Sequence, residues 1–573
     1  MNSTKLNSLF IFTIIIMLII VYNIQNQRVF SNLWRIDFEV VNDKYVLDKN
    51  YYDRMGSFFP GRNDSLETTV RCIGPLRNQS CLYKNLYYIN GTFMILTLKG
   101  TVFGNLSVRT DTFGTKITVP RRQDFDSYAE LEHFVRYSAD PIVLPGVTLY
   151  FTYAWLGNIG HTLFDGLYPA YVALIRFPPR HLQPFRLLSE IDHCPTCDDE
   201  DILNRFSGVG ILKYYILADM SNGTWFVFDE LVMGSGLFCQ RCTQPNFQLP
   251  GGVELDGSRL FRDRMYTQLG VFPPVKRFIH SAEHRQPNSV LRGYVLANKR
   301  FSSTEINEIQ DALNEINNYT LNILKQNRTN LTKFKWPLIN ISYLYYGHML
   351  DHSKKSSRFN QTQIDSRVPT YELQPSSFAS QLKWMRTMDI HVVGPGTGQM
   401  YQTFLPDGSV IINLGGLQAK DSLYGNITYT TYLEQYMTSG APYLKGLFYP
   451  INERPKGIKK DEVVKLIRQA GKLIIDGFSI PVNPNENLAA DGLLFIEMCE
   501  KDKEFCELVT ARAPNTNFDC YHFWVDEVIH ERRMWQRRNG TDGNTNAQCR
   551  FNRTLMYELR KKYGIYHNDS QLN

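Results

Sequence analysis

The chain lacks the motifs that would assign it to several common functional classes. It has 573 residues and a formal net charge of only +6, which gives no case for nucleic-acid binding, although a locally basic anion pocket would fit. It contains no G-x-S-x-G nucleophile turn and no H-E-x-x-H zinc motif. No D-x-D motif lies in an apolar setting, because Asp124 and Asp126 follow Pro-Arg-Arg-Gln and indicate a polar surface loop. That absence argues against the metal-dependent class of sugar-nucleotide enzymes.

An apolar segment near the N terminus lacks the small residues that favour signal-peptide cleavage. Leu9 to Ile24 carries no charge and is flanked by Lys5 and Arg28. The 17 residues from 8 to 24 are at the short end of what spans a bilayer. We therefore expect a cytoplasmic tail at 1–8, an uncleaved signal-anchor at 9–27 and a stem at 28–70.

Many N-glycosylation acceptors follow this segment, and they indicate a lumenal chain. An even number of cysteines, ten, agrees with an oxidising compartment. Chance matches in an Asn-rich sequence are the alternative. The N-x-S/T acceptors are Asn63, Asn78, Asn90, Asn105, Asn222, Asn318, Asn327, Asn330, Asn340, Asn360, Asn426, Asn539, Asn552 and Asn568.

Two α/β units follow the stem, at 71–288 and 289–450, and a charged, cysteine-containing extension covers 451–573. The second unit opens with a strand at 293–299 and a helix whose Ser302 and Glu305 have capping-box spacing. Further on, the sequence predicts a strand at 390–393, a Gly-rich turn at 394–398, a short helix at 399–404 and a strand at 410–414. That order is a βαβ unit, typical of parallel sheets with ligand sites at the strand carboxyl ends.

Two stretches of the second unit are candidates for binding an anion. The turn Gly-Pro-Gly-Thr-Gly, with Gly396, Thr397 and Gly398, would let backbone N–H groups approach a phosphate, although a plain structural turn explains it equally well. Lys299 and Arg300 follow the opening strand, where two cations could clamp a diphosphate. A solvated loop is the alternative for that pair.

The first unit contains a titratable pair within an apolar run, "NIGHTLFDGLYPAYVALI". In a helix, Asn158, His161 and Asp165 would share one face, and His161 oriented by Asp165 would be a suitable general base. Pro169 removes a helical hydrogen bond, so we expect the helix to start or kink nearby. A hydrogen-bonded buried pair without chemistry is the alternative.

Two C-x-x-C pairs have the spacing of a zinc ribbon. They are Cys194 with Cys197 and Cys239 with Cys242. Zinc would be the first interpretation in the cytosol, whereas a disulfide framework is favoured in an oxidising lumen. The pairing of the cysteines does not follow from the sequence.

Three stretches together resemble glycosyltransferase family 61, which includes the plant N-glycan core xylosyltransferase. "NIGHTLFDGLYP" is similar to the family's N-x-x-H-x-x-x-D segment, and "VLANKRFSSTEINE" is similar to its strand ending in Arg with a following Asn-Glu. "SFASQLKWMRTMDIHVVGPGTGQMYQTFLPDGSVIIN" resembles its closing signature, from Gln381 through the Gly turn to Phe-Leu-Pro. The resemblance spans about residues 150–415, and the family's His at the Gly turn is Pro395 here.

The resemblance implies a GT-B-like fold, an α/β architecture of two Rossmann-type domains facing a cleft. Unit 71–288 would bind the acceptor and unit 289–450 the nucleotide sugar. It implies inverting transfer from a nucleotide sugar, of the UDP class, to a glycan or glycoprotein, without a cofactor or a catalytic metal. The chain would be a type II membrane protein of the Golgi or endoplasmic reticulum, with homodimerisation left open.

The same resemblance suggests a role for each candidate residue. His161 and Asp165 would be catalytic, Asn158 would position the acceptor, and Gln381 would join the donor site. Lys299, Arg300 and the backbone of Gly396, Thr397 and Gly398 would hold the donor diphosphate. Two rival functions stay open: an inactive glycan-binding or chaperone-like protein on the same scaffold, which Pro395 favours, and a cell-surface adhesion glycoprotein.

Overall fold

A computed structural model describes most of the second of two compact units, 1–62 and 63–573. The described residues are 65–74, 79–110, 116–152, 159–190, 199–234, 254–274, 289–298, 301–326, 335–346, 368–373, 377–394, 396–415, 441–451, 453–510 and 551–565. The signal-anchor expected at 9–27 and both C-x-x-C pairs lie outside them. Within the described part, no helix is both long and apolar enough to cross a membrane.

The described elements form a mixed α/β chain with sixteen strands. The strands are β1 Thr69–Ile73, β2 Ser80–Ile89, β3 Thr92–Leu98, β4 Val108–Arg109, β5 Ile117–Thr118, β6 Arg121–Phe125, β7 Ile142–Phe151, β8 Phe185–Ser189, β9 Gly208–Lys213, β10 Phe226–Met233, β11 Leu291–Leu296, β12 Ile339–Tyr346, β13 Thr370–Leu373, β14 Ile390–Val393, β15 Val410–Asn413 and β16 Lys445–Phe448.

Eleven helices lie between and after these strands, and four short 3₁₀ segments accompany them. The helices are α1 Tyr128–His133, α2 Ile159–His161 continuing through Thr162–Leu167 to Tyr168–Ile175, α3 Asp199–Ser207, α4 Tyr214–Met220, α5 Glu254–Gln268, α6 Ser303–Gln326, α7 Phe378–Met385, α8 Lys460–Asp476, α9 Ala490–Lys501, α10 Lys503–Thr510 and α11 Arg553–Lys562; a π segment, Phe134–Ala139, continues α1. The 3₁₀ segments are Arg180–Leu182, Thr397–Phe404, Arg454–Lys456 and Pro484–Asn487.

The first sheet is mixed, with the strand order β6-β3-β2-β10-β7-β8-β9 and β1 paired to β2. Strands β10, β7, β8 and β9 run parallel, whereas β2 is antiparallel to β10. The chain moves outward from β7 through β8 to β9 and then returns to place β10 on the other side of β7. The direction of winding therefore reverses between β7 and β10, which makes that position a topological switch point.

The second sheet has six parallel strands in the order β13-β12-β11-β14-β15-β16. The chain winds from β11 outward to β13, then crosses back to β14 and winds the other way. Its switch point lies between β11 and β14. This is the doubly wound topology that the predicted βαβ unit indicated, and it confirms an α/β fold with a parallel sheet.

Helix α2 packs on β7 and β10 of the first sheet and is buried there. Every residue of its last segment, Tyr168–Ile175, is buried, as expected for a helix that is apolar all round. One hydrophobic core includes α2, Leu149 of β7 and Val393 of β14, so the two sheets share it. The helix does not stop at Pro169; it is wound as a π-helix over Thr162–Leu167, where the prediction had placed a start or kink.

The other face of the second sheet is covered by α6 and α8, which pack in a separate core. The expected capping box is present at the start of α6: Ser302 N donates to Glu305 Oε2 at 2.9 Å, and Glu305 N donates to Ser302 Oγ at 3.2 Å. Asn317 of α6 bonds both the N–H and the carbonyl of Ile341 at 2.8 Å, which fixes the helix to β12.

Two disulfides lie in the described part of the chain, and both are compatible with a secreted or lumenal glycoprotein. Cys72 and Cys81 face each other directly across β1 and β2. Cys499 and Cys506 join α9 to α10, beside a small core that these helices form with α11.

The structure corrects one expectation about local structure. Asp124 lies in the edge strand β6, not in a loop, and its carboxylate pairs with Arg122 of the same strand. Asp126 pairs with Lys99. Both carboxylates are thus neutralised by basic side chains, which agrees with the surface role inferred from the sequence.

Six glycosylation acceptors lie among the described residues, and the side chain of each is exposed. Exposure is the condition that a bulky glycan requires, so the fold is compatible with modification at all six. They are Asn90, Asn105, Asn222, Asn318, Asn340 and Asn552.

Candidate functional site

The loops that follow β11 and β14 meet at the switch point of the second sheet. A Cβ atom at Gly394 would lie 2.7 Å from Asn298 Nδ2 and 2.8 Å from the ring of Phe301, so the two loops are in close contact there. In open α/β sheets, ligands bind in the crevice outside the carboxyl ends of the strands at such a point. The two stretches that the sequence suggests as anion-binding candidates therefore flank the position where the sheet topology favours a ligand.

The Gly turn has two different requirements for glycine. At Gly396 the backbone has a φ of 105°, which side chains rarely adopt. At Gly398 a Cβ would lie 2.8 Å from Leu296 Cδ2 and 3.2 Å from Val393 Cγ2, so any larger residue would require these side chains to shift. The turn leads directly into the Thr397–Phe404 segment. This segment is a 3₁₀ helix, where a short helix was expected. The first N–H groups of the segment lie at the carboxyl end of β14.

Lys299 and Arg300 lie outside the described residues, so their predicted role in holding a diphosphate stays a prediction. The residues on either side of them, Asn298 and Phe301, are described. Phe301 N donates to Asn298 O at 3.1 Å, and Asn298 and Phe301 both contact the position of Gly394.

The His161 segment reaches this region from the first sheet. It follows β7, at the switch point of that sheet, and Ile159–His161 contacts the Thr397–Phe404 segment. Phe164 lies 6.4 Å from Phe404 between ring centroids. Asn158 and the side chains of His161, Asp165 and Thr397 lie outside the described part, so their roles also stay predictions. The backbone nevertheless brings two separately predicted stretches together.

Gln381 lies behind the Gly turn. It is buried on α7, and its Oε1 accepts a hydrogen bond from the Tyr401 hydroxyl at 2.7 Å. This bond links α7 to the segment that follows the turn. The contact suits a role in positioning that segment.

His391 is a buried group that the sequence reasoning missed. It lies on β14, three residues before the Gly turn, and burial lowers its pKa to about 4, an effect that the backbone of Gly398 partly opposes. The imidazole is therefore uncharged at neutral pH. A histidine within an otherwise apolar strand, "DIHVVG", was the signal that could have found it.

An ionic cluster joins α5 to the turn that follows Phe404, and sequence reasoning missed this too. Arg262 of α5 is fully buried and donates from Nη1 to Leu405 O at 2.9 Å and to Asp407 Oδ1 at 2.8 Å. Arg259 lies 2.5 Å from Asp407 Oδ2. The Arg262 guanidinium stacks over the Tyr443 ring, with 4.7 Å from Cζ to the centroid.

The charge state of this cluster follows from its surroundings. Burial alone would lower the pKa of Arg262, but Tyr443, Asp263 and Asp407 outweigh it, and the pKa is raised. The guanidinium is therefore charged at every physiological pH. The cluster holds the Leu405–Asp407 turn against α5, at the end of the segment that begins with the Gly turn.

No group of three or more His, Cys, Asp or Glu side chains with metal-binding geometry occurs among the described residues. The sequence matches no protein-family model and no curated protein. What the described residues define directly is an α/β protein with two large sheets, in which the helix after β7 contacts the segment after β14 around a shared core.

Proposed function

We propose that this chain is an inverting glycosyltransferase that moves a sugar from a UDP-sugar to a glycan or glycoprotein acceptor in the secretory pathway. The observation that carries the proposal is the position of the three candidate stretches. Two of them follow β11 and β14 and meet at the switch point of the parallel sheet. The third follows β7 and contacts the segment after the Gly turn.

In the proposed reaction the acceptor hydroxyl oxygen forms a bond to the anomeric carbon while the bond from that carbon to the phosphate oxygen breaks. His161 takes the hydroxyl proton, and Asp165 orients the imidazole. Lys299, Arg300 and the N–H groups of the Gly turn stabilise the negative charge on the departing nucleoside diphosphate. Because the side chains of Lys299 and Arg300 would supply the positive charge that stabilises the leaving group, the proposal includes no metal ion.

The proposal extends to location and partners. The apolar segment at 9–27 would anchor the chain as a single-pass type II protein of the Golgi or endoplasmic reticulum, with residues after the anchor in the lumen. Fourteen acceptors for N-glycosylation after the apolar segment, and two disulfides among the described residues, support passage through that compartment. The two-domain cleft of a GT-B-like enzyme belongs to the same proposal.

A thermal-shift screen of the purified full-length chain tests donor binding. UDP-GlcNAc, UDP-xylose, UDP-galactose, UDP-glucose, GDP-mannose and GDP-fucose would each be added with and without EDTA. A donor at a hundred times its dissociation constant stabilises by about 2.7 kcal/mol, so one UDP-sugar should raise the unfolding midpoint in both conditions. Arg300→Ala should abolish most of this shift, because the diphosphate loses a charge-assisted contact.

Gly394→Ala is the structural counterpart of that variant. Its new methyl group would displace Asn298 and Phe301, so it should also reduce the shift although it removes no charge. Cooperative unfolding with no shift for any donor would contradict the donor site and favour the inactive glycan-binding protein, for which Pro395 is the supporting residue.

His161→Ala tests the assignment of the base. Once a donor is identified, this variant should lower the rate of transfer by about 10²–10⁴-fold, since that is what a positioned general base contributes. The donor-induced shift should be retained, because His161 would act on the acceptor. Full transfer activity in this variant would exclude His161 as the base even if the donor site is right.

A further inference from the structure

The segment that begins with the Gly turn is bonded at its far end by two tyrosine hydroxyls. The Tyr443 hydroxyl donates to Thr403 O at 2.7 Å, and the Tyr266 hydroxyl donates to Phe404 O at 2.8 Å. The last carbonyls of a helical segment find no partner within it, so a buried end requires donors from elsewhere. The two hydroxyls supply them, beside the bond that Arg262 makes to the next carbonyl.

Both tyrosines are remote from any ligand that the crevice could hold. Their side chains are 0% exposed, and they lie at the opposite end of the segment from Gly396. Burial raises the pKa of both phenols, so each hydroxyl keeps its proton and stays a donor at physiological pH. The Tyr266 hydroxyl is also 3.1 Å from Leu382 O, which places it between α7 and the segment.

Helix α5, which carries Tyr266, also contacts helix α2. Tyr266 and Arg262 are four residues apart and share one face of α5, and that face lies against the end of the segment. The Phe261 ring of α5 lies 4.8 Å from the ring of Tyr168 on α2 and 6.1 Å from that of Phe404, between centroids. One helix therefore supports both the helix after β7 and the segment after β14.

The position of the Gly turn depends on the segment that follows it. Glycines have no side chain that could fix the turn against its surroundings. Gln399 N donates to Gly396 O at 2.9 Å, and this bond joins the turn to the segment. A shift of the segment at its far end is therefore transmitted to the N–H groups of the turn.

We infer that Tyr266 and Tyr443 are positioning residues for the proposed donor site. Their hydroxyls hold the segment so that the N–H groups of the Gly turn are preorganised for a diphosphate, and donor affinity depends on them although neither side chain touches the donor. The inference rests on the proposed function. It also means that α5, within the stretch 71–288 that was predicted to bind the acceptor, contributes to donor binding.

Hydrogen exchange of the full-length chain tests whether the hydroxyls fix the segment. Tyr266→Phe and Tyr443→Phe each remove one hydroxyl and keep the ring. A hydrogen bond of this kind changes an equilibrium by about two- to tenfold, so the backbone amides of 397–405 should exchange faster by about that factor. The matched control is Tyr87→Phe, which removes a bond of 2.8 Å to Leu66 O in a separate core and should leave exchange in 397–405 unchanged.

Calorimetric titration with UDP tests the consequence for the donor site. The wild type and Tyr87→Phe should bind UDP equally, whereas Tyr266→Phe and Tyr443→Phe should each bind about two- to tenfold more weakly. Because all three variants lose one buried hydroxyl bond to a carbonyl, this comparison separates positioning of the turn from a general loss of stability.

Two results would overturn the inference. One is exchange in 397–405 that matches the Tyr87→Phe control, and the other is wild-type affinity for UDP in both Tyr266→Phe and Tyr443→Phe, in which case the donor site itself would stand. A wild type that does not bind UDP would instead contradict the donor site, and the exchange measurement would still decide whether the two hydroxyls fix the segment.

Discussion

Replacing Asp407 with alanine is expected to lower the free energy of unfolding by about 3–5 kcal/mol. Asp407 accepts from Arg262, which is fully buried, and from Arg259. Without the carboxylate, the fully buried Arg262 guanidinium loses its ion pair at Nη1 and retains Asp263 at Nε, and the partly exposed Arg259 loses its ion pair. Chemical denaturation followed by tryptophan fluorescence measures the change.

The control for this experiment is an ion pair on the surface. Glu132 pairs with Arg136 at 2.8 Å on α1 and its continuation, where both side chains are well exposed. Glu132→Ala should cost less than about 1 kcal/mol, because solvent screens the pair. Comparable losses in the two variants would show that the Asp407 cluster does not make the buried link between α5 and the Leu405–Asp407 turn that its geometry indicates.

The second large effect is expected at Glu305 and Arg454. Both are buried and form an ion pair, and Glu305 Oε1 also accepts from Ile458 N at 3.2 Å. Within the part of the chain that the structure describes, Nε and Nη2 of Arg454 have no hydrogen-bond partner. Glu305→Ala alone should therefore cost about 3–5 kcal/mol, since it leaves a buried charge unpaired.

A double-mutant cycle separates loss of the pair from loss of one partner. Glu305→Leu with Arg454→Met removes both charges at similar volume, so its cost should be well below the sum of the single changes. The residual cost reflects the lost half of the capping box, the bond from Ser302 N to Glu305 Oε2, whereas the bond from Glu305 N to Ser302 Oγ is retained. Additive effects would contradict the interpretation that unpaired burial, not the pair itself, sets the energy.

The helices, turns and strands between residues 289 and 450 could be predicted locally because each depends on sequence signals within a few residues. The capping box at Ser302 and Glu305, the apolar repeat of α6 and the strand–turn–strand order around the Gly turn each depend on a few neighbouring residues. The order of the strands in the sheet could not be read from such local signals. The position of β14 beside β11 depends on how the chain crosses the sheet, which no local pattern records.

The contacts that join distant residues were beyond the sequence reasoning. Asp407 lies 145 positions from Arg262, and nothing near either residue marks the other as a partner. The π-helical winding around Asp165 was also missed, because Pro169 signals an interrupted hydrogen bond but does not say how the chain accommodates it. Candidate site residues were found where a polar or glycine pattern interrupts an apolar run, and missed where a single buried histidine did so.

Helix α2 has a consequence for the synthesis of the chain. It is complete when residue 175 has been made, but part of the core that covers it comes from Phe404 and its neighbours. At a translation rate of about 5–20 residues per second, the interval between the synthesis of residue 175 and that of Phe404 is on the order of ten seconds or more. During this interval the nascent first sheet exposes the apolar side of the helix that Phe404 and its neighbours later cover, so its solubility depends on whatever shields that side until residue 404 emerges.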